Sequence, residues 1–157
     1  LNNKNINDSL HLNNLGPEPL EKEFNFIYFT KFIKNRNRVI KDILMDQNFV
    51  SGIGNIYASE ILFLSKIKPI RKVKRLKSFE IQKIIKFTKK ILKNSIKLGG
   101  SSIKDFSSSN GKKGSFQQHF NVYGKKDEPC SNINCKSKII RSVISNRATF
   151  YCSKCQK

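Results

Sequence analysis

Apolar residues recur at helical spacing through Phe26, Phe29, Phe32 and Ile33, and Asn25 stands where an N-cap belongs. The rigid turn Gly16-Pro17-Glu18-Pro19 precedes them. A short second helix is predicted over Val39 to Met45, and a third over Ile56 to Leu64. The longest regular pattern runs from Phe79 to Leu98, with Ile81, Ile84, Ile85, Ile91 and Leu92 on one face and Lys83, Lys86, Lys89, Lys90 and Lys93 on the rest. Ser78 is expected to cap this helix, Glu80 suits the positive end of its dipole, and Gly99-Gly100 stops it. The alternation in Phe120-Asn121-Val122-Tyr123 predicts a strand entering a small β unit, and a strand-like stretch ends at Arg147-Ala148-Thr149-Phe150-Tyr151.

These elements give a mainly α chain with a small β ribbon and no internal repeat. Residues 1–15 are polar and Asn-rich and open with Leu, so they read as a linker or a cut edge. A helical module is expected over residues 16–106 and a ribbon over 116–157, joined by the Ser- and Gly-rich loop 107–115.

Charge narrows the partner. The 157 residues hold 31 Lys and Arg against 11 Asp and Glu, a formal net charge of +20. Such a surplus repels itself unless it meets a polyanion, and nucleic acid is the first expectation. A genome rich in A and T raises Lys, Asn and Ile, but does not by itself explain the shortage of acids. A membrane role finds no support, because no run approaches the roughly 18 apolar residues a spanning helix needs and no lipidation motif is present.

Four cysteines form two close pairs, Cys130 with Cys135 and Cys152 with Cys155, the layout of a structural zinc ribbon. The first pair has four residues between its members, wider than the common C-x2-C. Two disulfides are the alternative, though no signal peptide precedes them. The helix opened by Gly52-Ile53-Gly54-Asn55 is a candidate phosphate site, because its first N–H groups are unpaired and glycine admits close approach; a structural turn with an Asn cap explains the same residues. Arg147, at the tip of the hairpin, is either a solvated turn residue or a bidentate phosphate contact. His11 and His119 have no ligand-like partners at useful spacing, and no paired carboxylates or catalytic triad can be assembled.

Leu15-Gly16-Pro17-Glu18-Pro19-Leu20, Leu44-Met45-Asp46-Gln47, Gly52 to Glu60, Gly99 to Phe106, Val122-Tyr123-Gly124 and Arg147 to Lys157 occur in one order. In these motifs the chain resembles the C-terminal two-thirds of bacterial formamidopyrimidine-DNA glycosylases, from about residue 13 to the end. The resemblance implies a helix-two-turn-helix module followed by a zinc-finger β-hairpin. It implies a base-excision repair enzyme that removes 8-oxoguanine and ring-opened purines from everted nucleotides and cleaves the abasic site by β,δ-elimination. It also implies one zinc on Cys130, Cys135, Cys152 and Cys155, phosphate contacts from Gly54 and Asn55, a δ-elimination role and phosphate grip for Arg147, and a base-covering loop around Lys112. A basic DNA-contacting position falls on Asn37, with Arg36 and Arg38 beside it able to substitute. Ser115 stands where an aromatic is common. The expected partner is damaged double-stranded DNA bound by a monomer in a bacterial cytoplasm, at the nucleoid.

The family's nucleophile is the free amine of an N-terminal proline. Pro17 is internal and its nitrogen is an unreactive amide, so the chain reads as a fragment that lacks the nucleophile and is inactive alone. The rival readings are a non-catalytic zinc-containing DNA-binding protein and the endonuclease VIII-like branch for oxidised pyrimidines.

Overall fold

A computed structural model describes residues 14–99 and 119–157. His11, Lys112, Ser115 and the loop 107–115 lie outside the described residues, as do Gly100 to Phe106. The order is α1 (Phe26–Ile33), α2 (Ile40–Leu44), α3 (Asn55–Ser65), a 3-10 turn (Val73–Arg75), α4 (Ser78–Lys97), β1 (Ile140–Ile144) and β2 (Arg147–Tyr151). The described residues are mainly helical with one two-stranded antiparallel sheet.

The expected cap holds: the Asn25 side chain accepts the Tyr28 N–H at 3.0 Å, and Asn35 at φ 64° turns the chain away after α1. Phe24, Phe29 and Phe49 meet edge-on or tilted, with Phe29 and Phe49 centroids 4.9 Å apart, and form one end of the main core. The turn at Gly16-Pro17 packs directly on this cluster. A Cβ on Gly16 would lie 2.2 Å from the Phe49 carbonyl oxygen, and the Gly16 N–H donates to Gln47 at 2.8 Å. Two sequence motifs thirty residues apart are thus one structural joint.

Helix α3 is apolar nearly all round, which is the pattern of a central helix. It packs against α2, α4 and β2. Helix α4 lays Ile81, Ile84, Thr88, Ile91 and Ser95 into the core at the spacing its sequence predicts. Its cap differs from expectation. Ser78 is the first helical residue and Lys77 the N-cap, and the Glu80 carboxylate accepts the Lys77 N–H at 2.8 Å. Both Glu80 oxygens also pair with Arg71, at 2.6 and 2.9 Å.

The ribbon is simpler than expected. Ile144 pairs with Arg147, leaving Ser145 and Asn146, both at positive φ, as a two-residue turn of the primed kind that suits the twist of a hairpin. The predicted strand at Phe120 to Tyr123 is not formed. Three consecutive N–H groups, of Asn121, Val122 and Tyr123, curl around the buried Glu60 carboxylate at 2.8 to 2.9 Å. The alternation at Phe120 and Val122 records burial, while the backbone satisfies itself on a side chain instead of a ladder. A second small core gathers Val122, Cys130, Ile139, Phe150 and Cys152 around Phe63 of α3.

Candidate nucleic-acid interface and metal centre

Helix α3 starts at Asn55 because Gly54, extended at its N-cap, follows Gly52 at φ 87°, where a side chain would be strained. Gln47 fixes this entry: its Oε1 accepts the Gly52 N–H at 2.8 Å and its Nε2 donates to the Ile53 carbonyl at 3.4 Å. Asp46 accepts the Asn48 N–H at 2.9 Å and pairs with Arg38 at 2.7 Å. Burial pushes the Asp46 carboxyl up, and the Arg38 guanidinium with the Asn48 amide outweighs it, holding the group below the usual carboxylate range. The Asp-Gln motif is therefore a brace for the glycine turn.

The finger tip is pinned beside this helix start. Asn55 Nδ2 donates to the Ala148 carbonyl at 2.9 Å, while its Oδ1 is buried without a partner among the described residues. Ser145 Oγ donates to Asp42 of α2 at 2.8 Å. Lys41 Nζ donates to Thr149 Oγ1, which in turn donates to the Arg147 carbonyl at 3.1 Å. Arg147 itself is exposed, at the solvent end of β2. The structure thus sets Gly54 and Asn55, at the start of α3, beside the residue that follows Arg147 in β2.

The other basic candidates stand differently. Arg36 stacks over Phe32 at 4.2 Å and donates through Nε to the Phe32 carbonyl at 2.7 Å. Asn37 is exposed and its carbonyl accepts Lys72 Nζ at 3.3 Å. Arg38 is committed to Asp46, with its side chain 41% exposed.

Sequence reasoning missed Lys41. It is 1% exposed, and burial, opposed by Asp42 and reinforced by Arg147, pushes its amine down to about 8. A lowered lysine often marks a nucleophile, but an amine this buried cannot meet a sugar, and its role here is to seat β2. The available signal was its place inside the apolar run Val39-Ile40-Lys41-Asp42-Ile43-Leu44. Glu60 and Gln156 were missed as well. Gln156, fully buried, accepts the Cys152 N–H at 2.8 Å and donates to the Ile67 carbonyl at 2.9 Å, tying the second cysteine knuckle to the end of α3.

The four cysteines are free thiols whose sulfurs all lie within 4.8 Å of one another. Cys130 to Cys155 is 3.8 Å and Cys135 to Cys152 is 3.7 Å. A tetrahedral metal–thiolate cage with bonds of about 2.3 Å has edges of about 3.8 Å, whereas a disulfide bond is about 2.05 Å. The cluster is a possible metal site, and the wide first pair closes on it because Asn134, at φ 70°, tightens its loop. Burial pushes the Cys130 thiol up to about 12, while the backbone at Ser137 draws Cys135 down to about 7. Metal binding at such a cluster requires its thiols to give up their protons.

Comparison with known proteins agrees with this geometry. Residues 15–107 match the family described as Formamidopyrimidine-DNA glycosylase H2TH domain. The chain belongs to the formamidopyrimidine-DNA glycosylase family. It is 42% identical over 143 residues to the formamidopyrimidine-DNA glycosylase of Roseobacter denitrificans, covering 91% of this chain and 50% of that protein. The counterpart from Bdellovibrio bacteriovorus is 45% identical over 146 residues, covering 93% and 53%. Among solved structures, a complex between the Lactococcus lactis Fpg and DNA containing an abasic site superposes with a TM-score of 0.87 at 33% identity, covering 100% of this chain and 57% of that one. The MutM (Fpg) protein of Thermus thermophilus gives 0.85 at 35%, covering 91% and 54%. The chain spans about half the length of the glycosylases it matches. Among the described residues no helix is long and apolar enough to cross a membrane.

Proposed function

We propose that this chain is the DNA-binding half of a formamidopyrimidine-DNA glycosylase and AP lyase, which as a whole removes oxidised purines from double-stranded DNA and cleaves the abasic site by β,δ-elimination. The observation that carries the reading is the 2.9 Å bond from Asn55 to the Ala148 carbonyl, which sets the start of α3 beside the residue that follows Arg147. The unpaired N–H groups and positive dipole at the start of α3 take one phosphate. The second N–H of Asn55 Nδ2 and the Arg147 guanidinium take its neighbours, and a net charge of +20 draws the duplex in. Arg36 and Asn37 extend the contact outward along the backbone, with Arg38 giving it charge from within its ion pair. The loop around Lys112 covers the everted base, and the protein acts as a monomer.

Zinc fits the thiolate cage. Cys130, Cys135, Cys152 and Cys155 hold it, and the ion stiffens the hairpin that carries Arg147. The role of Arg147 in δ-elimination is to stay beside the phosphate leaving group once the sugar is opened. The amine that attacks the sugar belongs to the N-terminal proline of a whole glycosylase, and no described amine of this chain takes its place.

Fluorescence anisotropy with a duplex carrying a tetrahydrofuran abasic analogue tests the reading. Arg147→Ala is expected to weaken binding by roughly 1.5–3 kcal/mol, the range for charge-assisted hydrogen bonds, with metal content unchanged. Arg147→Lys restores part of the loss, because a point charge does not reproduce a two-pronged contact. Equal binding by Arg147→Ala and the parent protein removes the finger tip from the interface. Borohydride trapping on abasic DNA separately reports covalent chemistry, and no adduct is expected from this chain alone.

A further inference from the structure

Helix α3 and strand β2 each have two ends, and the candidate DNA face uses one end of each: Asn55 begins α3 and Arg147 begins β2. The opposite ends, about 15 Å away along an eleven-residue helix and about 13 Å away along a five-residue strand, border a separate open groove. Its volume is about 820 Å³, and it runs between the end of α3, the start of α4 and both cysteine knuckles. Lys66, Lys83, Lys154 and Lys157 line it, none of them in an ion pair among the described residues. Its one acidic side chain among the described residues, Glu80, has both oxygens engaged by Arg71. Two apolar side chains stand among these cations without cover, Phe79 at 54% exposure and Ile133 at 90%.

We propose that this groove docks an acidic peptide segment of a partner protein, one that carries apolar side chains among its carboxylates. Four ammonium groups with no ion pair among the described residues call for negative charge in their occupant. The chain's own undescribed segments do not supply it: residues 1–13 hold one acid, Asp8, against Lys4, and residues 100–118 hold Asp105 against Lys104, Lys112 and Lys113. Phosphodiester backbone would satisfy the lysines and leave Phe79 and Ile133 in water, whereas a peptide with apolar residues covers them, at about 25 cal/mol for each Å² removed from solvent. Lys83 already lies 5.7 Å from the centre of the Phe79 ring, so a carboxylate on that ammonium sits directly beside the apolar anchor point. The placement leaves the DNA face open, and a partner bound here can ride on the protein while it occupies a duplex.

The test uses the metal-loaded chain and a fluorescein-labelled octapeptide of glutamates and aspartates containing one leucine and one phenylalanine. Saturable binding is expected, weakened about tenfold by the pair Lys83→Glu and Lys154→Glu and about fivefold by Ile133→Ser. These sites are exposed, so circular dichroism and metal content should match the parent. Arg147→Ala should leave peptide binding intact, and saturating duplex DNA should not displace the peptide. Equal affinity for a control peptide with serine in place of leucine and phenylalanine overturns the proposal, as does displacement by duplex, which would mark the groove as a nucleic-acid surface. Unchanged binding by the groove variants overturns it too.

Discussion

The helical part and the hairpin are held by different forces. Around α1 to α4 a continuous apolar core gathers Phe24, Phe29, Phe49, Ile61 and Ile84, all fully buried. The hairpin has Val122, Ile139, Phe150 and two cysteines, and even that cluster depends on Phe63 from α3. Much of its remaining support is polar: Lys41, Asp42, Asn55 and Glu60 reach out of the helices, and Gln156 and the backbone of Lys157 bond back to residues 66–68. A unit that buries little apolar surface does not set its own orientation. The finger tip is therefore aimed by the helical part, and a metal held by the cluster of thiols would supply the rigidity that burial does not.

Stripping metal from the cysteine cluster is expected to separate the two regions most sharply. Metal–thiolate coordination contributes on the order of 10 kcal/mol to small structural sites. Chelation, or Cys152→Ser, should abolish amide-exchange protection in residues 138–152 while helical circular dichroism persists. Loss of both together would show that the helical part leans on the hairpin as well. The reverse perturbation is Phe49→Ala, which empties the centre of the aromatic cluster and should cost about 3–5 kcal/mol in global unfolding. If that variant loosens only the hairpin, the division drawn here is wrong.

Lys41 tests the polar link between the regions. Its folded pKa of about 8 lies below the ordinary 10.5, a difference of on the order of 3 kcal/mol. Between those values the unfolded chain binds more protons than the folded one, so this group makes stability rise with pH across the window from about 8 to 10.5. Below about 8 the cost of the buried charge is present in full. Lys41→Met removes that cost, and its stability advantage over the parent should shrink as pH climbs from 8 toward 10.5 in denaturant titrations. A constant difference would mean that the ammonium is solvated.

The smallest expected effect is at Glu60. Glu60→Gln turns one acceptor into a donor facing backbone N–H groups, for about 1–3 kcal/mol. Because Glu60 stands on α3 and holds 121–123, both regions should weaken in parallel by hydrogen exchange. Loss confined to one region would break the coupling.

Local sequence determined what depends on neighbours along the chain. The periodicity of Ile81, Ile84 and Ile91 placed α4 within a residue, Asn25 capped α1, and the paired cysteines marked the four-thiol cluster that could hold a metal. Helices and short knuckles are closed by bonds a few residues apart, so their signals survive in a linear reading. Tertiary structure alone decided the rest. Lys41 meets Thr149 across 108 positions, Asn55 meets Ala148 across 93, and Glu60 meets Asn121 across 61. The apolar run around Lys41 hints that it is buried, but nothing local names the partner that Lys41, Asn55 or Glu60 will meet. Their partners exist only once α2, α3 and the hairpin have packed, and burying a charge or an amide then requires that each find one.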